Sequence, residues 1–167
     1  MMVIRRMIPA DWDPMRQIYA HYIEHTTITF DVQVPDAEAY ARKMQAICEE
    51  GIAWTCEDDG RVVGFCYAHR WKEKEAYAGT RETTVYVHPD EKGRGIGLRL
   101  MKQLITDAEA QGVHALIACI TCPNTASEQL HEKLGFVPVS RFREVGQKFG
   151  TWLDVADYQL LLPMKAE

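Results

Sequence analysis

Between Lys92 and Gly97 the chain reads Lys-Gly-Arg-Gly-Ile-Gly, and an amphipathic run comes directly after it. Glycines let a backbone approach a ligand closely, and the first N–H groups of a helix have no internal partner. A strand, a glycine turn and a helix start in that order make an anion site, most naturally for phosphates. A second suggestive spacing is Cys119-Ile120-Thr121-Cys122. Redox pairs of this kind place the first cysteine at a helix start, whereas Cys119 stands inside an apolar strand, so both thiols are expected to be structural and buried. No second ligand pair lies at metal spacing, and no metal is expected.

Two phosphate-binding patterns fail on this turn. A P-loop ends in Gly-Lys-Ser/Thr, and Gly95-Ile96-Gly97-Leu98 supplies neither the lysine nor the hydroxyl. A dinucleotide fingerprint needs a third glycine three residues after the second; counted from Gly93 or from Gly95 that position is Leu98 or Leu100.

The elements that must position the turn can be read from periodicity. Val3 to Met7 reads as a strand; Met15, Ile18, Tyr19 and Tyr22 form a helical stripe running to about Glu24. The stretch His25 to Asp31 has no helical period and is expected to be a loop lining a pocket. A second helix opens at Pro35-Asp36 and ends at Gly51. Ala53 to Glu57 and Val62 to Trp71 are strands joined by Asp58-Asp59-Gly60, a hairpin signal, and Lys72 to Gly79 is a charged loop. The next strand begins at Glu82, with Thr83, Val85 and Val87 on one face and Thr84 and Tyr86 on the other, and completes an antiparallel meander.

A third helix spans about Gly95 to Gln111, with Leu98, Met101, Leu104, Ile105 and Ala108 inward. Ala115 to Cys122 is almost wholly apolar, as in a strand covered on both faces. A fourth helix starts after Pro123-Asn124 and closes at Gly135-Phe136. Phe136 to Val145 and Trp152 to Leu162 are final strands around a loop from Gly146 to Gly150.

The chain has 167 residues, 47% of them hydrophobic, enough for the core of one domain and too few for two, so residues 1–167 are read as a single domain. A net charge of −5 with dispersed basic residues excludes a nucleic-acid partner. No apolar run approaches the roughly 20 residues of a membrane span, and the start of the chain lacks a signal-type apolar region. The protein is expected to be cytoplasmic, with no membrane partner. Five cysteines, an odd number without secretory context, are expected to be reduced.

Two motifs in register resemble the GNAT superfamily of N-acetyltransferases. Val87-His88-Pro89 with Lys92-Gly93-Arg94-Gly95-Ile96-Gly97 after it is similar to its Val-x-Pro and Arg/Gln-x-x-Gly-x-Gly/Ala segment, which cradles the coenzyme A pyrophosphate. Asn124-x-x-Ser127-x-x-x-His131-x-x-x-Gly135-Phe136 is similar to its Asn-x-x-Ala-x-x-x-Tyr-x-x-x-Gly-Phe helix. Lys92 and His131 depart from the commonest residues. Within the superfamily, Glu82 to Val87, Arg70-Trp71-Lys72 and Gly146 to Asp154 resemble phosphinothricin and methionine sulfoximine/sulfone acetyltransferases.

The resemblance implies an α/β fold of the α+β kind, with a mixed, mostly antiparallel sheet of about seven strands and four helices, splayed between the fourth and fifth strands. It implies acetyl-CoA as co-substrate, an amine or amino acid as acceptor, and a homodimer. Glu82 is then the candidate base, needed because free amines are largely protonated at neutral pH. The backbone of Val85, Tyr86 and Val87 would polarise the thioester and flank the pantetheine arm. Lys92, Gly93, Arg94, Gly95, Ile96 and Gly97 would hold the pyrophosphate, with Asn124 and Ser127 on the far side; Asn124 also suits a helix N-cap. His131 is either the acid for the departing thiolate or a buried helix histidine. Arg70, Lys72 and Arg81 are candidates for an acceptor carboxylate, and Phe30, Trp71 and Phe149 for the pocket wall. Phe149, Trp152 and Tyr158 either help form the dimer interface or fill the core. A protein N-terminus, a polyamine or an antibiotic amine are alternative acceptors, and a non-catalytic acetyl-CoA-binding module is a further alternative.

Overall fold

The computed structural model describes residues 1–163. Their sheet has seven strands in the order β1-β2-β3-β4-β5-β7-β6. These are β1 (Met2–Arg6), β2 (Ala53–Asp58), β3 (Arg61–Arg70), β4 (Thr80–Val87), β5 (Ala115–Cys122), β6 (Val137–Lys148) and β7 (Thr151–Leu161). Four α-helices cover it: α1 (Trp12–His25), α2 (Ala37–Glu50), α3 (Ile96–Ala110) and α4 (Thr125–Lys133). All neighbouring strands are antiparallel except β4 and β5. The mixed α/β architecture expected from the motifs is thus the one observed.

Each boundary has a local cause. Asp59 and Gly60 both take positive φ, 49° and 79°, which matches the β2–β3 turn to the strand twist. Asp36 caps α2 by accepting from the Ala39 N–H at 2.7 Å, and Gly51 ends it at φ 96°. Asn124 caps α4 by accepting from the Ser127 N–H at 3.3 Å. The last hairpin is tighter than expected: β6 continues through Gly146 to Lys148, and Phe149-Gly150 alone make the turn, with φ of 52° and 73°.

Burial sorts the faces. On one side Tyr19, Tyr22, Tyr40 and Met44 of α1 and α2 pack against Val62, Phe65 and Tyr67 of β3. On the other, Leu100, Met101, Leu104 and Ala108 of α3 pack against Val63, Cys66 and Ala68. Those large α3 side chains are fully buried, each worth about 1.5–3 kcal/mol against exposure. The α3 stripe is rotated from the expected one: Leu100 takes the core position, and Leu98 is half-buried. Of the aromatics near the C-terminal end, Tyr158 is core, whereas Trp152 and Phe149 are exposed.

The feature that positions the site is a separation inside the sheet. β4 pairs with β5 only over Thr80–Ala115, Arg81–Leu116 and Glu82–Ile117, although both strands run on for several residues. Thr83 marks the last tie, its hydroxyl donating to the Ile117 carbonyl at 3.4 Å. Beyond it the strands diverge and leave the β4 edge from Thr84 to Val87 facing an opening. Among the described residues no helix is long and apolar enough to cross a membrane.

Candidate active site

Two cavities meet at this splay. A chamber of about 330 Å³ lies between β4, β5 and the α1–α2 connection, and a groove of about 470 Å³ runs along the α3 N-terminus. Ile28, Val85, Tyr86, Asn124 and Ser127 line both, so the two form one continuous cleft. Both volumes fall within the usual range for small-molecule sites, about 300–1,000 Å³.

The groove has the make-up that the glycine turn leads one to expect of an anion site. Lys92, Gly93, Gly95, Ile96 and Gly97 line it. Gly93 and Gly95 adopt φ of 78° and 74°, and a Cβ at either would meet nothing within 4 Å, so backbone conformation rather than crowding demands glycine there. The first turn of α3 carries no acidic residue to offset the positive end of the helix dipole. Arg94 does not enter the groove: its guanidinium pairs with Glu91 and, at 2.9 Å, with Asp58, fastening the turn to the β2–β3 hairpin. Sequence reading missed Lys133, a second cation on the groove wall.

Glu82 is the third residue of β4 rather than its first, held between His69 of β3 and Ile117 of β5. Its carboxylate lines the chamber, half-buried, with the His69 Nε2 at 3.8 Å from its Oε2. His69 comes opposite Glu82 through the β3–β4 register, which crosses a long connection and leaves no local signal.

Cys119 overturns the expectation of burial: it is the exposed residue of β5 and lines the chamber, because the splay uncovers that side of the strand. Cys122 is buried. Three residues apart on a strand, the two thiols face opposite sides of the sheet and cannot act as a redox pair. Partial desolvation within the chamber, then the charge of Glu82 and the hydrogen bond and charge of Asp157, push the Cys119 thiol up.

His131 is buried in α4 with its ring edge-on to Phe136, centroids 5.0 Å apart. Its Nδ1 lies 2.7 Å from the Ser127 carbonyl, which requires Nδ1–H and leaves Nε2 as an acceptor in the neutral ring. Burial pushes the imidazole below its ordinary pKa, the Ser127 bond opposing only in part. In this tautomer the neutral ring presents Nε2 as an acceptor, so His131 would have to take up a proton there before it could act as the general acid. Folding stability acquires a pH dependence from this residue. The unfolded chain takes up the proton near pH 6.5, the folded chain only at lower pH, so stability falls as pH drops below about 6.5. Comparison of denaturant midpoints at pH 7.5 and 5.5 is expected to give a smaller loss for His131→Gln than for the wild type; equal losses would contradict it.

The acceptor candidates divide sharply. Phe30 lines the chamber. Arg70 pairs with Glu75 at 3.6 Å, Arg81 donates to the Ala78 and Thr80 carbonyls at 2.6 and 3.2 Å, and Lys72 sits over the Trp71 and Tyr77 rings. Each charge is satisfied locally, outside the chamber, as is Trp71; Phe149 is at the exposed hairpin tip. Among the described residues no cation lines the chamber, whose polar lining is Glu82, Cys119, His131, Asn124 and hydroxyls such as Thr29, Thr83 and Thr121.

The family profile described as acetyltransferase (GNAT) domain matches residues 4–156. The chain belongs to the GNAT acetyltransferases. It is therefore an N-acetyltransferase whose acetyl donor is acetyl-CoA, and the groove fits that donor through its glycine turn, open helix start and lysines. The chain is 35% identical to the L-amino acid N-acyltransferase MnaT of Escherichia coli, over 99% of this chain and 97% of that protein. It is 37% identical to phosphinothricin N-acetyltransferase of Streptomyces coelicolor, over 93% and 94%. Its fold superposes with a TM-score of 0.95 on YncA, an acetyltransferase of Salmonella typhimurium solved with its cofactor acetyl-CoA, at 33% identity and covering 100% and 97% of the two chains.

Proposed function

We propose that this enzyme acetylates the α-amino group of a small amino acid or analogue of the phosphinothricin or methionine sulfone type, by direct transfer. The observation that carries the reading is Glu82 in a small chamber that opens at the splay onto the donor groove. Names of full-length relatives, an L-amino acid N-acyltransferase and a phosphinothricin N-acetyltransferase, support the acceptor class.

Acetyl-CoA supplies, when bound, a thioester carbonyl that a neutral amine can attack, the amide C–N bond forming as the C–S bond breaks and the departing thiolate taking up the proton that the acetylated nitrogen sheds. Glu82 takes the proton that keeps the acceptor an ammonium, directly or through one water. The unpaired edge of β4 at Val85 to Val87 offers backbone N–H groups to the carbonyl oxygen as charge develops there. Asn124, already fixed as the cap of α4, stands where chamber and groove meet and lines up the two reactants.

One observation favours a second reading: no cation lines the chamber among the described residues. An amine without a carboxylate, such as a polyamine or a protein N-terminus, would then suit Glu82 equally well. Thiol release from acetyl-CoA across amino acids, their sulfone and sulfoximine analogues, polyamines and peptides separates the two. On the first reading the amino-acid analogues are preferred, and the product is acetylated at the α-nitrogen. Preference for amines lacking a carboxylate would replace it with the second.

A further inference from the structure

The chamber wall formed by Ile28, Thr29 and Phe30 belongs to the α1–α2 connection, and its position is set by a strand distant in sequence. β6 carries an irregularity between Phe142 and Gly146, with Glu144 at φ 50° and its N–H donating to Asp154 at 2.9 Å. A bulge of this kind bends a strand and re-aims the residues beyond it. Here those residues include Gly146 and Lys148, two positions apart and therefore on one face. Both meet the connection. The Phe30 ring lies so close to Gly146 that a Cβ there would stand 2.4 and 2.5 Å from its Cε2 and Cζ. Lys148, only 3% exposed, donates from Nζ to the Thr29 carbonyl at 2.8 Å. From the opposite side the Tyr19 hydroxyl bonds the Thr29 hydroxyl at 2.9 Å and Asp31.

A buried ammonium gains little for stability over an apolar side chain of similar length. Its use here is geometric, since it fixes one carbonyl in the wall of a cavity. Gly146 has the same logic: its φ is not in the left-handed region, so the backbone would accept any residue, and only the Phe30 ring requires the missing Cβ.

We propose that Gly146 and Lys148 are specificity-determining positioning residues: they set where Phe30 and Thr29 stand, and thereby which acceptor side chain the chamber admits. The inference rests on the chamber being the acceptor site. The test is the ratio of kcat/KM for a long acceptor, L-methionine sulfone, to that for a short one, L-alanine, at saturating acetyl-CoA. Gly146→Ala forces the Phe30 ring to move, and the ratio is expected to change by about tenfold, the scale set by a methylene or two in a specificity pocket. The acetyl-CoA Kd, read by calorimetry, is expected to stay within about twofold, because neither residue lines the donor groove. In a Phe30→Ala background Gly146→Ala is expected to leave the ratio unchanged, since its effect passes through that ring.

Lys148→Met gives a second variant should Gly146→Ala fail to fold; it is expected to raise the KM for methionine sulfone about fivefold with the acetyl-CoA Kd unaltered, the order of effect of one lost buried hydrogen bond. A folded Gly146→Ala enzyme with the wild-type ratio, effects of Gly146→Ala and Phe30→Ala that simply multiply, or an unaltered KM in Lys148→Met would each overturn the proposal. These failures are distinct from failure of the chamber reading, which would appear as a wild-type enzyme that acetylates neither amino acid, and which would remove the proposal with it.

Discussion

Glu82→Gln is expected to lower kcat by about 10²–10⁴-fold, the usual contribution of a positioned general base, while the acetyl-CoA Kd stays unchanged. The substitution keeps the side-chain size, and Glu82 is held from both sides by β3 and β5, so the strand keeps its register. The donor groove lies beyond the splay and does not include Glu82. What is lost is the carboxylate that takes the ammonium proton. The deficit should therefore shrink as pH rises past the acceptor's own pKa, because the amine then arrives already neutral. Steady-state rates over that pH range, with calorimetry for the donor, give the comparison. A kcat within about threefold of wild type, far short of a base's usual contribution, or a deficit that is the same at every pH, would remove Glu82 from the role of base.

The second large effect is expected at a residue that touches no ligand. Gly64 of β3 lies under α3, and a Cβ there would stand 3.0 Å from Ile96 Cγ2, 3.1 Å from Leu100 Cδ1 and 3.1 Å from the Tyr86 carbonyl. Two of these atoms belong to the first turns of the helix whose N-terminus lines the proposed donor groove. Gly64→Val therefore overpacks the interface and lifts that end of α3 from the sheet. Overpacking of this kind costs about 1–3 kcal/mol, roughly 2–12 °C in Tm for a chain of this size. The same displacement moves the amides of Ile96 and Gly97, so acetyl-CoA binding is expected to weaken by about tenfold or more, as about 1.4 kcal/mol of lost contact would do. Thermal unfolding and donor titration measure the two consequences together. A stable variant that binds acetyl-CoA normally would mean that the close approach of β3 to α3 does not set the groove.

Most of the architecture was legible because its causes are local. The α1 stripe of Met15, Ile18, Tyr19 and Tyr22, the Asp59-Gly60 turn and the cap at Asn124 depend on residues a few positions apart, and the observed elements fall where those signals put them. The glycine turn was legible for the same reason: Gly93 and Gly95 take the left-handed backbone that their identity allows.

The features that could not be read depend on contacts distant in sequence. Cys119 sits in a strand that reads as fully covered, and only the divergence of β5 from β4 exposes it. Arg70, Lys72 and Arg81 have the right charge for an acceptor carboxylate, but sequence does not say that Glu75, two carbonyls and two aromatic rings satisfy them first. The tautomer of His131 was not legible because its Nδ1 partner and its burial, neither visible in the sequence, decide which nitrogen carries the proton. Gly146 and Lys148 read as loop residues, whereas the bulge in β6 makes them the backing of the Phe30 wall.

The central claim is that one continuous cleft joins the acetyl donor to a small α-amino acid beside Glu82. Its most direct test is the kcat/KM for L-methionine sulfone against that for the corresponding amine lacking the carboxylate, monitored by thiol release from acetyl-CoA. The amino acid is expected to be favoured by about tenfold, the scale of one hydrogen bond to its carboxylate from a chamber hydroxyl such as Thr29 or Thr121, and its product to carry the acetyl group on the α-nitrogen. Equal rates for the two, or faster transfer to the amine, would contradict it.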